Sequence, residues 1–488
     1  MLLSKLFDID SDIEITGLSL DSRTVKQGDM FFCIEGLEAD GHDYAVKAAA
    51  AGAVAVVHTK EIEKKPDVVY IKVADMRSEI NRVCDIFNGR PSSRLTVFGT
   101  TGTNGKSTIS SIISDIYSEE KPCGYMGTIA VRYGDYSRIP SLTTPDQIEL
   151  HSDLREMVEH GMKAVAMEVS SHGLSMGRVD AVDFDCAIFT NLTYDHLDYH
   201  KTMKNYFDAK KQLFRNMKST GVCVLNADDE LSIEGLKECC SCRYVTYGTG
   251  ILGKADYMAE NIEFSASQTS FTLLHKDESY EVTTNMVALY NIYNLLGAMA
   301  AMHEMGMSLE RIVPLVKSIP QVDGRMERVD MGQDFTVIVD YAHTPDGYEK
   351  VFSYGDIITK DGGEIYAVFG CPGKRDKVKR EVMGSIAGRH CRAAVVTEQD
   401  PRNEKAADIA EMILAGVRKS GCEGIFVENR EKAIEKAISM AHKGDLVLIL
   451  GKGDESYMYY EGGRLPWIGD NEAARRALAK TVKGKALK

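Results

Sequence analysis

The chain has 488 residues, room for about three domains at roughly 100–200 residues each. A hydrophobic fraction of 44% with 27% charged residues excludes wholesale disorder. The net charge of -14 argues against a nucleic-acid partner, because an acidic surface repels a phosphate backbone and any phosphate bound must be held by a local site.

The opening MLLSKLFDID reaches acidic residues too early for a secretory signal. The most apolar stretch, Ala48 to Val57, is far shorter than the ~20 residues that span a bilayer, so a cytoplasmic chain with no membrane insertion is expected. Apolar runs at Ala53–Val57, Leu95–Phe98, Ala164–Met167, Ala187–Phe189, Val222–Leu225, Thr336–Val339, Ile365–Phe369, Ala393–Val396 and Leu446–Leu450 read as strands between helical patterns. That alternation predicts an α/β protein with parallel sheets, whose ligands gather at the carboxyl ends of the strands. The block 255–290, with FTLLHKDESYEVTT, reads as an antiparallel addition. Turn-forming stretches at Asn88-Gly89-Arg90-Pro91 and Val322-Asp323-Gly324-Arg325 divide the chain into units 1–89, 90–324 and 325–488. The 11 cysteines show no pairing pattern. The cluster Cys239, Cys240 and Cys242 lacks further zinc ligands at a familiar spacing, so reduced thiols are expected.

The run from Val97 to Thr108 is a strand, a glycine-rich turn and a helix start. Gly102, Thr103, Asn104 and Gly105 would let backbone N–H groups and the helix N-terminus face the phosphates of ATP. Lys106 would meet the β- and γ-phosphates, and the hydroxyl of Ser107 or Thr108 would approach Mg²⁺. The strict phosphate-loop spacing asks for glycine at position 100, which is threonine here.

TGTNGKST departs from the strict spacing in the manner of the Mur ligase family, and the chain resembles that family nearly end to end. The resemblance runs through Leu20-Asp21-Ser22-Arg23 and GDMFFCIEG, then SLTTPD, MEVSSHGLSMGRVD and TNLTYDHLDYH, then DYAHTPDG, FGCPGKRDKVKR and GKGDE. It implies an N-terminal UDP-substrate-binding domain, a central P-loop ATPase domain and a Rossmann-like C-terminal ligase domain. The implied activity is ADP-forming addition of a diamino acid to the D-glutamate γ-carboxylate of UDP-N-acetylmuramoyl-L-Ala-D-Glu, through an acyl phosphate, in peptidoglycan precursor synthesis. A monomer acting on small molecules is expected.

Glu168 and His196 each follow an apolar run, where a strand end points into the nucleotide pocket. A carboxylate and an imidazole can serve as ligands for two Mg²⁺ ions, one shared with ATP and one with the acceptor. Lys210 matches the lysine that the family carbamylates (N6-carboxylysine), which turns a cation into an oxygen donor for the second ion. Asn291 and Asn294 match the adenine-side asparagines, whose amides can read a base edge. Asp340 and His343 match the third domain's nucleotide motif, with His343 also a candidate base for the incoming amine, and Arg325 matches the family's GR motif. Ser22 and Arg23 match positions near UDP; Thr143, Thr144, Ser171 and Arg178 match those that hold the muramoyl peptide.

The acceptor side departs most from the pattern. In relatives that add meso-diaminopimelate the selecting motif is Asp-Asn-Pro-Arg; here it reads Gln399-Asp400-Pro401-Arg402. Arg375 is kept behind Pro372-Gly373-Lys374, where the family has Gly-Gly-Asp, and Gly451 and Glu455 are kept in GKGDE, where it has GKGHE. A second carboxylate needs a cation, which Arg402 supplies, and Lys374 disfavours a cationic acceptor, so meso-diaminopimelate is the expected substrate. L-Lysine, another amino acid or a divergent paralogue are the alternatives within the family. A folylpolyglutamate synthetase is disfavoured by the DSR region and SSHGL…GRV. A nucleotide-driven switch protein would leave Glu168, His196 and Lys210 without a task.

Overall fold

In the computed structural model, residues 1–36, 39–265, 267–320 and 322–486 are described. Three sheets follow one another along the chain. The first has four parallel strands, Gly17–Ser19, Asp29–Phe32, Ala55–His58 and Val69–Lys72, in sequence order. The second has 11 strands and holds the phosphate loop. The third has six strands over 327–450, parallel except for the edge strand Glu327–Arg328, and is followed by the hairpin Tyr457–Tyr460/Gly463–Pro466. Among the described residues no helix is long and apolar enough to cross a membrane.

Each apolar run predicted as a strand coincides with one, with ends moved by up to three residues. In the middle sheet, side chains alternate between two buried layers, as the two-residue period of a strand requires. Cys186 and Ile188 pack on one side with Ile109, Ile112, Leu295 and Met299, whereas Ala187 and Phe189 pack on the other with Leu150, Leu213 and Phe214. Strands buried on both faces explain why these segments read as continuous apolar runs rather than alternating ones. The 255–290 block is an antiparallel meander of Tyr257–Phe264, Thr269–His275 and Glu278–Thr284 on one edge. Cys239, Cys240 and Cys242 pack beside the buried Cys223, with 3.5 Å between the sulfurs of Cys223 and Cys242, and all are free thiols.

Strand order puts Thr96–Thr101 between Ala164–Glu168 and Cys186–Phe189, all parallel. The carboxyl ends of these three strands therefore open side by side at the place where the chain connections diverge, which is where such sheets bind ligands. Register pairs Thr100 with Glu168 and Thr101 with Phe189, which sets the phosphate loop between Glu168 and the segment after Phe189.

The third sheet is closed by a buried ion pair. Arg430 donates to both carboxylate oxygens of Asp470 (Nε 2.7 Å, Nη2 2.6 Å) and to the Leu450 carbonyl (2.9 Å), and both side chains are 0% exposed. Arg430→Ala strands a buried carboxylate and is expected to destabilise this part of the chain by about 3–5 kcal/mol. The single tryptophan, Trp467, packs against the same core, so its fluorescence during urea unfolding reads the loss; an unchanged midpoint would contradict it.

Candidate active site

The strand Thr96–Thr101 runs into the loop 102–105 and then into the helix Lys106–Tyr117. Gly102 has φ 149°, and a Cβ there would lie 1.8 Å from the Thr190 hydroxyl oxygen, so only glycine lets the loop pass this close to its neighbour. The loop is held from the adjacent strand's exit: the Thr103 N–H donates to the Asn191 carbonyl (2.8 Å), the Asn104 N–H to Asn191 Oδ1 (3.1 Å), and the Thr190 hydroxyl to the Asn104 carbonyl (2.6 Å). The helix N-terminus thus keeps its first-turn N–H groups for an anion. Lys106 Nζ curls back onto the carbonyls of Gly102 (3.0 Å) and Thr103 (2.9 Å), and burial lowers its pKa. Ser107 and Thr108 are buried at the same helix start.

Glu168 is buried next to the loop. Its Oε1 accepts from the Tyr125 hydroxyl (2.7 Å) and the Thr128 N–H (2.8 Å), and its Oε2 from the Thr128 hydroxyl (3.2 Å). Lys210 is 1% exposed; its Nζ donates to the Gly102 carbonyl (2.7 Å) and lies 4.3 Å from the centre of the Tyr206 ring. Burial, with Lys106 adding repulsion, drives the Lys210 pKa well below the usual lysine value. His196 has a left-handed backbone (φ 53°), stands 3.4 Å from Asp195 and meets the His172 ring edge-on at 4.9 Å. Its pKa is lowered by desolvation against the opposing charge of Asp195. Burial acts to raise the Asp195 pKa, but His196, His343 and Lys106 outweigh it and hold the carboxyl below the usual range.

On the nucleotide side a cavity of about 610 Å³ is lined by Asn104, Gly105, Thr108, Asn291, Asn294, Arg325, Asp340 and His343, together with Asn191, Asp228 and Tyr293. The asparagines expected on the adenine side, the residues of the third domain's nucleotide motif and Arg325 are therefore brought into one place. Asn294 Nδ2 donates to Asn291 Oδ1 (3.2 Å), which itself is fixed by donation from Asn291 Nδ2 to the Val287 carbonyl (2.9 Å). Asp340 accepts from the N–H groups of Met326 and Ala342, both at 2.7 Å, and Arg325 lies 4.4 Å from the centre of the Tyr341 ring. His343 Nδ1 is 3.0 Å from the Tyr341 carbonyl, which fixes Nδ1 as the protonated nitrogen. Its place in this cavity suits a nucleotide contact rather than a base for the incoming amine.

On the peptide side, the Thr144 hydroxyl donates to the Glu168 carbonyl (3.0 Å), Arg178 Nη1 donates to the Thr144 carbonyl (2.9 Å), and Thr143 Oγ1 is 3.0 Å from Thr128 Oγ1. Ser171 Oγ is 2.9 Å from His200 Nε2. Thr144 thus bonds directly to the strand end that carries Glu168, Thr143 reaches it through Thr128 and Arg178 through Thr144, and Ser171 begins the helix Ser171–Ser175 just beyond it. Ser22 is buried in the first unit, but Arg23 is exposed and forked onto Asp21, so the structure does not bring Arg23 to the other site residues.

On the acceptor side, Asp400 and Arg402 both have positive φ, and Asp400 accepts from Lys452 Nζ (3.0 Å) and the Tyr459 N–H (2.9 Å). Lys452 also pairs with Glu455. Gln399 Nε2 donates to the Gly451 carbonyl (2.9 Å), and a Cβ on Gly451 would lie 2.3 Å from Gln399 Oε1. Arg402 Nη1 donates to the Gly373 carbonyl (3.2 Å), which leaves the rest of its fork available, and Pro401 is buried beside it. Lys374 is tied through its N–H to Glu404, while Arg375 faces Asp198 of the middle unit at 3.7 Å. Tyr125, Thr128, Asn191, Asp195 and Tyr206 contact the expected site residues and were not singled out by motif reading, although Asn191 and Asp195 lie within the quoted TNLTYDHLDYH.

The donor set fits Mg²⁺: it combines hydroxyl, carboxylate and imidazole groups, Glu168 Oε2 accepts a single hydrogen bond, and burial lowers the pKa of the Lys210 amine, which CO₂ can cap.

Three family models match the chain: "Mur ligase family, catalytic domain" over residues 14–85, "Mur ligase middle domain" over 100–302 and "Mur ligase, glutamate ligase domain" over 324–453. The UDP-N-acetylmuramoyl-L-alanyl-D-glutamate--2,6-diaminopimelate ligase of Geobacillus kaustophilus is 41% identical, covering 96% of this chain and 95% of its own length. That of Bacillus cereus is 40% identical, covering 95% and 94%. A solved structure of a ligase of the same name superposes with a TM-score of 0.70 at 29% identity, covering 99% of both chains. A Thermotoga maritima MurF in complex with ADP shares the fold, with a TM-score of 0.67 at 16% identity over 97% of this chain and 100% of that one. With identity at this level over nearly its whole length, the chain belongs to the Mur ligase family.

Proposed function

We propose that this ligase adds meso-diaminopimelate to the D-glutamate γ-carboxylate of UDP-N-acetylmuramoyl-L-Ala-D-Glu, with ATP converted to ADP and phosphate in the cytoplasm. The observation that carries this reading is the position of Glu168. It lies in register with Thr100 of the phosphate-loop strand, and it is tied through Thr128 and Thr144 to the peptide-side residues, which supports a triphosphate and a carboxylate meeting at one strand end. In this reading the units 1–89, 90–324 and 325–488 bind the UDP group, ATP and the amino acid, respectively.

The peptide carboxylate attacks the γ-phosphorus, ADP leaves, and the acceptor amine displaces phosphate from the acyl phosphate. The loop N–H groups and Lys106 offset charge on the transferring phosphoryl group. Thr143, Thr144, Ser171 and Arg178 orient the dipeptide, and Asn291 and Asn294 hold the adenine end. Ser107, Glu168, His196 and a carbamylated Lys210 would hold two Mg²⁺ ions, which supply Lewis-acid neutralisation of phosphate charge.

Two facts favour diaminopimelate: Arg402 is present with most of its fork free, and relatives at about 40% identity carry that acceptor in their names. The test is ATP turnover with the muramoyl dipeptide against diaminopimelate, lysine, ornithine and glutamate. Diaminopimelate should be preferred, and preference for lysine would refute the assignment. Arg402→Ala should raise KM for diaminopimelate roughly 100-fold, the effect of stripping a carboxylate of its charged partner, with KM for ATP within about twofold. An unchanged acceptor KM would remove Arg402 from selection.

A further inference from the structure

The hairpin Tyr457–Tyr460/Gly463–Pro466 starts two residues after Glu455, and its tyrosines form a wall against the acceptor motifs. The Tyr457 hydroxyl bonds Glu455 Oε1 (3.3 Å), and Lys452 Nζ lies 4.9 Å from that ring's centre. The Arg402 N–H donates to the Tyr459 carbonyl (2.9 Å), and the Arg402 guanidinium lies 5.3 Å from the Tyr459 ring centre. From the other strand, Arg464 reaches the same two rings, at 4.5 Å from Tyr457 and 5.0 Å from Tyr459, and its Nε donates to the Tyr459 hydroxyl (2.7 Å).

The charges near this wall are unequally committed. Lys452 is 0% exposed and neutralised by Asp400 and Glu455. Arg375 is turned toward Asp198. Among the described residues no carboxylate pairs with Arg402 or Arg464. Arg464 is exposed, yet the two rings and the Nε bond hold its planar group in place and leave both Nη groups open, the arrangement that bidentate carboxylate recognition uses. A diacid acceptor brings two carboxylates, whereas Arg402 offers one fork. Both guanidiniums lie close to the single Tyr459 ring, 5.3 Å and 5.0 Å from its centre.

We propose that Arg464 is a specificity-determining residue of the acceptor site, with Arg402 and Arg464 each receiving one carboxylate of a dicarboxylate amino acid beside Tyr459. This rests on the acceptor reading given above. Neither the Gln399–Arg402 motif nor GKGDE contains Arg464; the hairpin alone delivers it.

Steady-state kinetics of the full-length enzyme test it. Arg464→Ala is expected to raise KM for meso-diaminopimelate at least tenfold, with kcat within threefold and KM for ATP and for the muramoyl dipeptide within twofold. Arg464→Lys, which keeps a point charge but not the stacked fork, should fall between. Tyr459→Phe, which removes only the bond that orients Nε, should raise the same KM by a smaller factor. Wild-type turnover of diaminopimelate with an unchanged KM in Arg464→Ala overturns the role of Arg464 alone, as does a parallel fall of kcat and rise of all three KM values. A wild-type enzyme that uses lysine in place of diaminopimelate overturns the acceptor reading, and the second-carboxylate role with it.

Discussion

Lys106→Ala is expected to lower kcat by roughly 10³-fold, with the muramoyl dipeptide still bound. The ammonium lies between the carbonyls of Gly102 and Thr103 at the mouth of the loop, so it sits where the transferring phosphoryl group gathers charge. The loop does not depend on Lys106 for its shape. Asn191 and Thr190 hold it from the exit of the neighbouring strand through four hydrogen bonds, so the variant should fold and lose charge stabilisation selectively. Burial lowers the Lys106 pKa, but nearby Glu168 and Asp195 act to raise it and favour the cation. Phosphate release measured beside dipeptide binding checks this, and activity within tenfold of wild type would contradict it.

Lys210→Ala is expected to lower kcat by a similar factor, with partial recovery on adding formate or acetate. Burial and a second lysine nearby push the Lys210 pKa well below the usual lysine value, against the pull of Asp195, and so favour the neutral amine. Only a neutral amine attacks CO₂, and the resulting carbamate carries the negative charge that removes this mismatch beside Lys106. Because the folded-state pKa is depressed, the neutral form persists down to that lowered pKa and is lost below it, so activity should fall on acidification. Small carboxylates can fill the space left in the alanine variant and restore an oxygen donor. Full activity of Lys210→Ala without added acid would remove Lys210 from the mechanism.

The parallel strands were legible because they are buried on both faces, and burial on both faces demands continuous apolar runs such as Ile365–Phe369 and Leu446–Leu450. The first sheet was less so: its strands have three or four residues, too few to display a period. The phosphate loop was legible because its chemistry is local, from one strand end to one helix start. What was not legible depends on pairings far apart in sequence. Tyr125 and Thr128 reach Glu168 across about 40 residues, and Tyr206 reaches Thr103 across 103. The Tyr457 hairpin has neighbouring aromatic residues on both of its faces, so it lacks the alternation that marks a strand, and Arg464 went unnoticed with it. Arg23 shows the opposite case, a motif residue whose side chain folds back onto Asp21 two positions away.

The central claim is that the peptide carboxylate attacks the γ-phosphorus at the strand end shared by the phosphate loop and Glu168. It is tested most directly by labelling both γ-carboxylate oxygens of the D-glutamate with ¹⁸O and measuring the mass of the phosphate released during turnover with diaminopimelate. One labelled oxygen should appear in each phosphate, because phosphate leaves the acyl phosphate with the bridging carboxylate oxygen when the amine attacks carbon. Amide formation with unlabelled phosphate, or ATP hydrolysis with no amide formed, would contradict the account.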